Sequence, residues 1–486
     1  MSDKKNPIVI SDSKKHCHGI LALIVLCFLL LNLPLLISNL WFDECVSLWD
    51  YGFAPSLKAI FGSYNATNNH ILYSAFLYVW LHVLPQFNEF FIRLPNLLFY
   101  IAACAIFYRE LTTISSRVLA LVTVSHLIFS PVLINFVYQL RGYGFSISLS
   151  IIALTGMLLI LNGKRTRGLV LFCSASILMP MIIPSNLLYT LTLFIIIGLH
   201  QLLNKTKDIK LIGICLFSSG AGMIIYLPIL SKFLKTISGT QGWDSASGLV
   251  SHLGIAAVCH LGLFIIFIAI KFRNDSLKDK SVLLIFLSPL IIVLITALIK
   301  APFPRIYLSF FPIISLIPFY YLKETALKNN AFLYGSLFII FLSHYMVSRF
   351  ADSNELAARH NAEIKQTLLQ QYYKNNTDIS TSAKYIIQNK VMQSSGKIKL
   401  FIDFHYFLSF KYYWEQFGGD KSILECLNGS GKLFGLKEDP AAYANYKIYI
   451  LSYTKDHAQK SLKSGLGKEI ILKALPSPTE LTIFER

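Results

Sequence analysis

Apolar residues in this chain fall in long blocks separated by short polar stretches. Eleven blocks come close to the ~20 residues a helix needs to cross the ~30 Å hydrocarbon core of a bilayer. They are residues 21–37, 91–108, 118–138, 143–161, 168–183, 186–203, 211–230, 249–270, 282–299, 306–322 and 331–347. A further stretch, "HILYSAFLYVWLHVLP" at 70–85, is too short to join them. Its aromatic residues suit a helix lying in the membrane interface. Beyond 347 the pattern changes. "SNELAARHNAEIKQTLLQQYYKN" reads as an amphipathic helix behind a serine cap. "KIKLFID", "YKIYILSY" and "KEIILKAL" read as strands, and "FLSFKYYWEQF" as a helix between them.

The expected fold is a polytopic α-helical membrane protein with about eleven transmembrane helices and a C-terminal soluble α/β domain. The domains divide as a polar N-terminus over 1–20, a membrane module over 21–347 and an α/β domain over 348–486. The first apolar block follows a basic head and lacks a small-residue cleavage site, so it reads as a retained anchor.

Composition agrees: 54% of residues are hydrophobic and only 14% charged, against ~25% charge in soluble proteins. The net charge of +18 does not call for nucleic acid here, because the cations gather in short loops. Lysine and arginine mark cytoplasmic loops, where they meet anionic headgroups. Of the 25 such residues before position 348, 18 fall on the inner side if 70–85 stays on the surface. Ten do if it crosses. The first arrangement makes 38–90 a large first outer loop carrying interfacial helices. It leaves the N-terminus cytoplasmic and the C-terminal domain outside, as in a bacterial inner-membrane protein with a periplasmic domain. The eight cysteines have no metal-binding spacing. Cys45 and Cys426 are the pair free to meet outside the membrane.

This topology turns Asp43, Glu44, Asp50, Glu89 and Asp244 outward and leaves no acid in mid-span. Asp43 and Glu44 end the first block. Neighbouring side chains diverge by about 100° on a helix, so one is the better base and the other a partner. Marking the water boundary is an equally simple job for both. Asn68 or Asn69 is expected to cap the short helix, which brings His70 to its start. Arg93 lies beside Glu89 and can pair with it, snorkel or reach substrate. Arg141 is the one charge in the tight outer turn "YQLRGYGF", where glycines flank Tyr143 and allow close backbone approach. Arg305 opens a span behind the stiff "APFP" loop. Both arginines suit a phosphate and would equally serve as interfacial anchors.

The acid pair, "NHILY" and "EFFIRLPN" together resemble the membrane-embedded GT-C glycosyltransferases. The likeness is to the branch of protein O-mannosyltransferases and aminoarabinose transferases. It is good over 38–108, moderate at "QLRGYGFSISLSIIAL" and "PRIYLSFFPIISL", and architectural beyond 347. The double proline that usually follows the histidine is missing. The resemblance implies a hexosyl- or pentosyltransferase using a polyprenyl-phosphate-linked sugar at the outer face. The acceptor would be a hydroxyl or phosphate on a glycan, lipid or protein. It implies Asp43 as base with Glu44 as partner, and His70 near the reaction centre. Arg93, Arg141, Tyr143 and Arg305 would lie on the donor side. The second outer loop offers Arg141 where some relatives carry an acid, which weakens the case for a divalent cation and leaves metal ligands unknown. Cations facing a departing phosphate, with one carboxylate base, imply a single inverting displacement. Two other classes compete. A transporter or flippase of lipid-linked glycans needs polar groups in mid-span. An O-antigen polymerase or ligase carries its large soluble part between spans.

Overall fold

The computed structural model describes residues 14–38, 40, 42–62, 69–84, 88–206, 208–239, 304–316, 333–342, 377–388, 397–427, 446–452, 473–475 and 482–485, with isolated positions between 284 and 319. Among the described residues of the N-terminal half, twelve α-helices run in this order: α1 (Lys14–Leu36), α2 (Phe42–Val46), which a π-helical turn, Ser47–Gly52, continues, α3 (Leu57–Gly62), α4 (Ile71–Val83), α5 (Glu89–Leu111), α6 (Arg117–Ile128), α7 (Pro131–Val137), α8 (Tyr143–Leu161), α9 (Arg165–Ile182), α10 (Asn186–Leu203), α11 (Ile209–Ala221) and α12 (Leu230–Gly239). The chain separates into two compact units. One is Met1–Leu36 with Tyr51–Tyr373; the other is Ile37–Asp50 with Lys374–Arg486.

Among the described residues of the first unit, six helical segments are long and apolar enough to cross a membrane: Lys15–Leu36, Glu89–Leu111, Tyr143–Leu161, Arg165–Ile182, Asn186–Leu203 and Ile209–Lys235. The chain is a helical membrane protein. Helix α8 is the centre of the bundle, with 83% of its apolar window buried against 22% for α1. It packs on α5, α9 and α10. Gly156 of α8 and Gly168 of α9 face each other so closely that a Cβ on Gly156 would lie 2.4 Å from the Phe172 backbone nitrogen.

Local chemistry sets the helix ends. Asn88 caps α5 by accepting from the Phe91 N–H, which starts the helix two residues before the apolar block. Pro95 within α5 cannot donate to the Phe91 carbonyl, four residues back. The Trp80 indole N–H takes that carbonyl instead, at 3.1 Å. Ser116 caps α6 and Asp208 caps α11 in the same way as Asn88. The Leu211 N–H, with Arg165 adding to it, holds the Asp208 carboxyl below the usual carboxylate range.

Several expected elements differ. The block 118–138 is two helices, not one span. Ser130 is extended, and Pro131 begins α7 because it lacks the N–H that would continue α6. The block 211–230 continues as a 3-10 stretch, Gly222–Ile229, and then α12. Block 306–322 opens as a 3-10 helix, Pro304–Phe310, followed by the short helix Phe311–Ile314. Helix α4 is 13 residues, about 20 Å at 1.5 Å per residue, which is too short to cross. His70, not an asparagine, occupies its N-cap and makes no side-chain cap. The Asn69 amide is turned away to the Ile60 carbonyl; Asn68 lies outside the described residues. So do the block 249–270, most of 282–299 and the amphipathic segment 353–375.

Polar contacts staple the two ends of this bundle differently. At one end three turns are joined: Lys164 Nζ donates to the Thr113 carbonyl at 2.6 Å, Arg165 pairs with Asp208, and buried Glu110 sits between Arg109 and Arg167. Lys205 and Lys210 lie in the same turn as Asp208 or just beyond it. The opposite end carries uncharged hydrogen-bonding groups and a few cations, and it holds the candidate site.

In the second unit, five strands form a sheet in the order β2-β1-β3-β5-β4, with β1 at Lys397–Asp403, β2 at Leu424–Leu427, β3 at Tyr446–Ser452, β4 at Lys473–Leu475 and β5 at Thr482–Glu485. Strand β1 runs parallel to β2 and β3; β5 runs antiparallel to β3 and β4. The helix Phe404–Gln416 follows β1 directly and provides the crossover to β2, as a parallel pair requires. It packs on β1, on the helix Thr377–Gln388 and on α2.

Because the α8–α9 contact admits no side chain, Gly156→Leu is expected to destabilise the protein by about 3 kcal/mol or more through overpacking. Gly198→Leu should leave stability nearly unchanged, since nothing lies within 4 Å of its Cβ position. Thermal unfolding of both purified variants in detergent checks this.

Candidate functional site

The turn between α7 and α8 must bury its backbone. Gln139, Arg141 and Tyr143 are all nearly inaccessible, so its N–H and C=O groups need partners from the protein. Asn96 of α5 supplies two. Its Nδ2 donates to the Gln139 carbonyl and, at 3.1 Å, to the Arg141 carbonyl. The Gln139 carbonyl also accepts from the Arg141 N–H at 2.7 Å, closing a tight turn. His70 supplies another, with its Nδ1 accepting from the Gly142 N–H at 2.9 Å. An accepting Nδ1 defines the neutral tautomer with the proton on Nε2.

Glycine is required at two positions. A Cβ on Gly142 would lie 2.7 Å from His70 Nδ1, and one on Gly144 2.6 Å from the Val137 carbonyl oxygen. Both residues let the start of α8 slide against α4, α5 and α7. Tyr143 then sits among three groups. Its ring meets His70 edge-on at 5.1 Å and Phe136 at 5.5 Å, and the Arg141 guanidinium lies 4.8 Å over it. Such a cation–π contact is worth about 2 kcal/mol when desolvated, as it is here with Arg141 only 2% exposed. The Asn96 Oδ1 is buried and meets no donor among the described residues.

One helical turn further along α8, Ser146 joins a second polar group. Asn186 at the start of α10 donates to the Ser146 hydroxyl at 2.7 Å and to the Met179 carbonyl at 3.0 Å. Ser309 donates to the Asn186 Oδ1 at 2.6 Å and lies 3.2 Å from the Ser146 hydroxyl. This ring of three side chains fixes the 3-10 helix Pro304–Phe310, and Arg305 with it, against α8 and α10. Tyr189 packs edge-on to Phe310 at 5.2 Å behind it.

His70, Arg141 and Tyr143 are therefore brought together, and Arg305 lies on a segment tied to the same helix. Arg93 has a different setting. It is 1% exposed, and its Nη1 donates to the Leu35 and Leu36 carbonyls at 3.2 and 3.1 Å. Those are the last carbonyls of α1, which have no acceptor role left inside the helix. Its guanidinium also lies 5.8 Å over the Tyr138 ring. This is a C-terminal helix cap. Asp43 and Glu44 belong to the second unit, on α2. Glu44 is fully buried and Asp43 partly so; the Ser47 hydroxyl donates to the Asp43 carbonyl. Cys45, between α2's acids and Ser47, is buried and is not in a disulfide. Among the described residues no three His, Cys, Asp or Glu side chains converge closely enough to hold a metal ion.

Sequence reading missed Asn96, Ser146, Asn186 and Ser309. The available signal was polarity within apolar blocks, where an asparagine is costly unless it is hydrogen-bonded.

The site is thus a buried, cationic, hydrogen-bonded cluster at one end of a membrane helix bundle. Comparison with protein-family models gives no match for this chain, and comparison with curated proteins gives none either.

Asn96→Leu keeps the side-chain size but strips the Gln139 and Arg141 carbonyls of a donor. The Gln139 carbonyl keeps the Arg141 N–H as a donor, whereas the Arg141 carbonyl loses the donor described for it. One buried unsatisfied group costs about 1–3 kcal/mol, so a loss of that size is expected. Chemical denaturation in detergent measures it. Ser174→Ala should be nearly silent, because that hydroxyl only returns to its own exposed helix backbone.

Proposed function

We propose that this protein transfers a sugar from a polyprenyl-phosphate carrier to an acceptor at the non-cytoplasmic face of the membrane. The observation that carries the reading is the buried Arg141 guanidinium, braced on Tyr143 beside a neutral His70. The planar guanidinium of a buried arginine braced over a ring suits bidentate binding of an oxyanion such as phosphate. The side of the membrane follows from charge. Arg109, Lys164, Arg165 and Arg167 gather at the far end of the bundle, and the positive-inside rule makes that end cytoplasmic. We read the complete bundle as about eleven spans, with the sheet-bearing unit as an α/β domain in the periplasm of a bacterial inner membrane.

In this reading the donor's phosphate rests on Arg141, with Arg305 as the second cation. His70 gives a hydrogen bond from Nε2, and Asn96 Oδ1 accepts from a sugar hydroxyl. Asp43 is the base. The acceptor oxygen forms a bond to the anomeric carbon as the bond from that carbon to the phosphate oxygen breaks. The acceptor proton passes to the Asp43 carboxylate, and polyprenyl phosphate departs with the bonding electrons. The phosphate is already a stable anion, so its growing charge needs cations rather than an acid. One displacement inverts the anomeric centre. Arg93 keeps its capping role, and Glu44 supports the segment that presents Asp43.

The test is transfer of radiolabelled sugar from synthetic polyprenyl-phosphate donors by the purified full chain in detergent or nanodiscs. Asp43→Asn is expected to lower turnover by about 10³-fold with donor binding unchanged, as loss of a base predicts. Arg141→Ala should weaken donor binding by about 10²-fold, near 3 kcal/mol for a buried charged hydrogen bond. Wild-type turnover in the first variant removes Asp43 from the chemistry; unchanged donor affinity in the second makes Arg141 an anchor only.

A further inference from the structure

The acid-bearing segment is short, and its helix cannot hold itself in place. Even with the π-helical turn Ser47–Gly52 that continues α2, the segment is shorter than the ~12–15 residues at which a helix becomes stable alone. Its support comes from 360 residues later in the chain. The Leu40 N–H donates to the Tyr413 hydroxyl at 2.8 Å, and both groups are buried. The Cys45 thiol lies 3.5 Å from the Ser409 hydroxyl, again with both residues inaccessible. The Lys411 ammonium sits 4.6 Å over the Trp49 ring. One of these three contacts falls before the acid pair, one directly after it and one a turn further on, and all their partners stand on the helix Phe404–Gln416. That helix is in turn anchored, with Phe410 stacked on Trp414 and the Trp414 indole donating to the Asp420 carbonyl at 3.0 Å.

We propose that the helix Phe404–Gln416 is a clamp that holds the segment Ile37–Asp50 and so positions Asp43, with Tyr413 as its principal positioning residue. The role in catalysis rests on the function proposed above; the clamp itself does not.

The physical reason is entropic. A base on a mobile loop spends much of its time out of line, and holding it in one geometry raises kcat without changing how the donor binds. Tyr413 keeps Leu40, three residues from Asp43, in a buried hydrogen bond. Tyr413→Phe removes that acceptor and leaves the ring packing on Tyr412 and Phe417 intact.

The experiment uses the full chain. Ser409→Cys places a second thiol against Cys45, whose sulfur already lies 3.5 Å from the Ser409 hydroxyl oxygen. Mild oxidation is expected to join the two positions nearly completely, read by mass spectrometry of the linked peptide. Tyr413→Phe is expected to lower kcat by about tenfold with donor KM within about twofold, the loss matching one buried hydrogen bond. Oxidising the double variant Ser409→Cys, Tyr413→Phe should restore kcat, which a merely destabilising substitution would not allow. Failure of the disulfide to form overturns the clamp, and unchanged kcat in Tyr413→Phe overturns the positioning role. If the wild type transfers no sugar while the disulfide forms, the function falls and the clamp stands.

Discussion

A buried turn in an apolar bundle must find hydrogen-bond partners for its own backbone, and that requirement organises the polar end of this protein. The stretch from Gln139 to Gly142 reverses the chain between α7 and α8 where water does not reach. Each orphaned backbone group there would cost a few kcal/mol. Asn96 and His70 remove that cost, and the removal fixes three helices at once, because Asn96 stands on α5, His70 at the start of α4 and the turn at the start of α8. Arg141 and Tyr143 are then oriented by a backbone that has no freedom left. The cationic site follows from satisfying the turn.

Much of this was legible in the chain and some was not, for identifiable reasons. The periodic apolar blocks located α8 and α10 to the residue, since nothing within them breaks a helix. They failed at 118–138, where Pro131 interrupts an unbroken apolar run: hydropathy measures transfer to lipid, not the presence of an N–H. Tyrosine-flanked Arg141 stood out as a lone charge. The Ser146–Asn186–Ser309 ring did not, because its members lie 40 and 123 residues apart and only the fold makes them neighbours. Arg93 shows the opposite limit. Its type and spacing left an ion pair with Glu89, a snorkelling role and a substrate contact all open; its position one turn inside α5 brings it to the last carbonyls of α1. Residue type constrains chemistry; geometry selects which chemistry is used.

Strands β1 and β3 of the C-terminal unit were legible, since β-branched and aromatic runs need a pleated surface to cover, whereas β2 and β5 are too short to show such a run and of 468–475 only Lys473–Leu475 is a described strand. The membership of Ile37–Asp50 in that unit was not legible. The segment follows the first membrane helix directly, and sequence adjacency assigns it to the bundle. Its partners Tyr413 and Ser409 carry no motif that would reveal them.

The acid pair can be resolved further from the geometry of α2. On a single helical turn Asp43 and Glu44 must point about 100° apart. Glu44 is fully buried and Asp43 is not. A carboxylate with no accessible surface cannot exchange a proton with an incoming substrate unless the segment moves, and Tyr413, Ser409 and Lys411 oppose such movement. The buried acid can still act on its surroundings, by fixing the turn that carries its neighbour. Two adjacent carboxylates on so short and so held a helix are therefore one presented acid and one internal one, and only Asp43 has the access that a base requires.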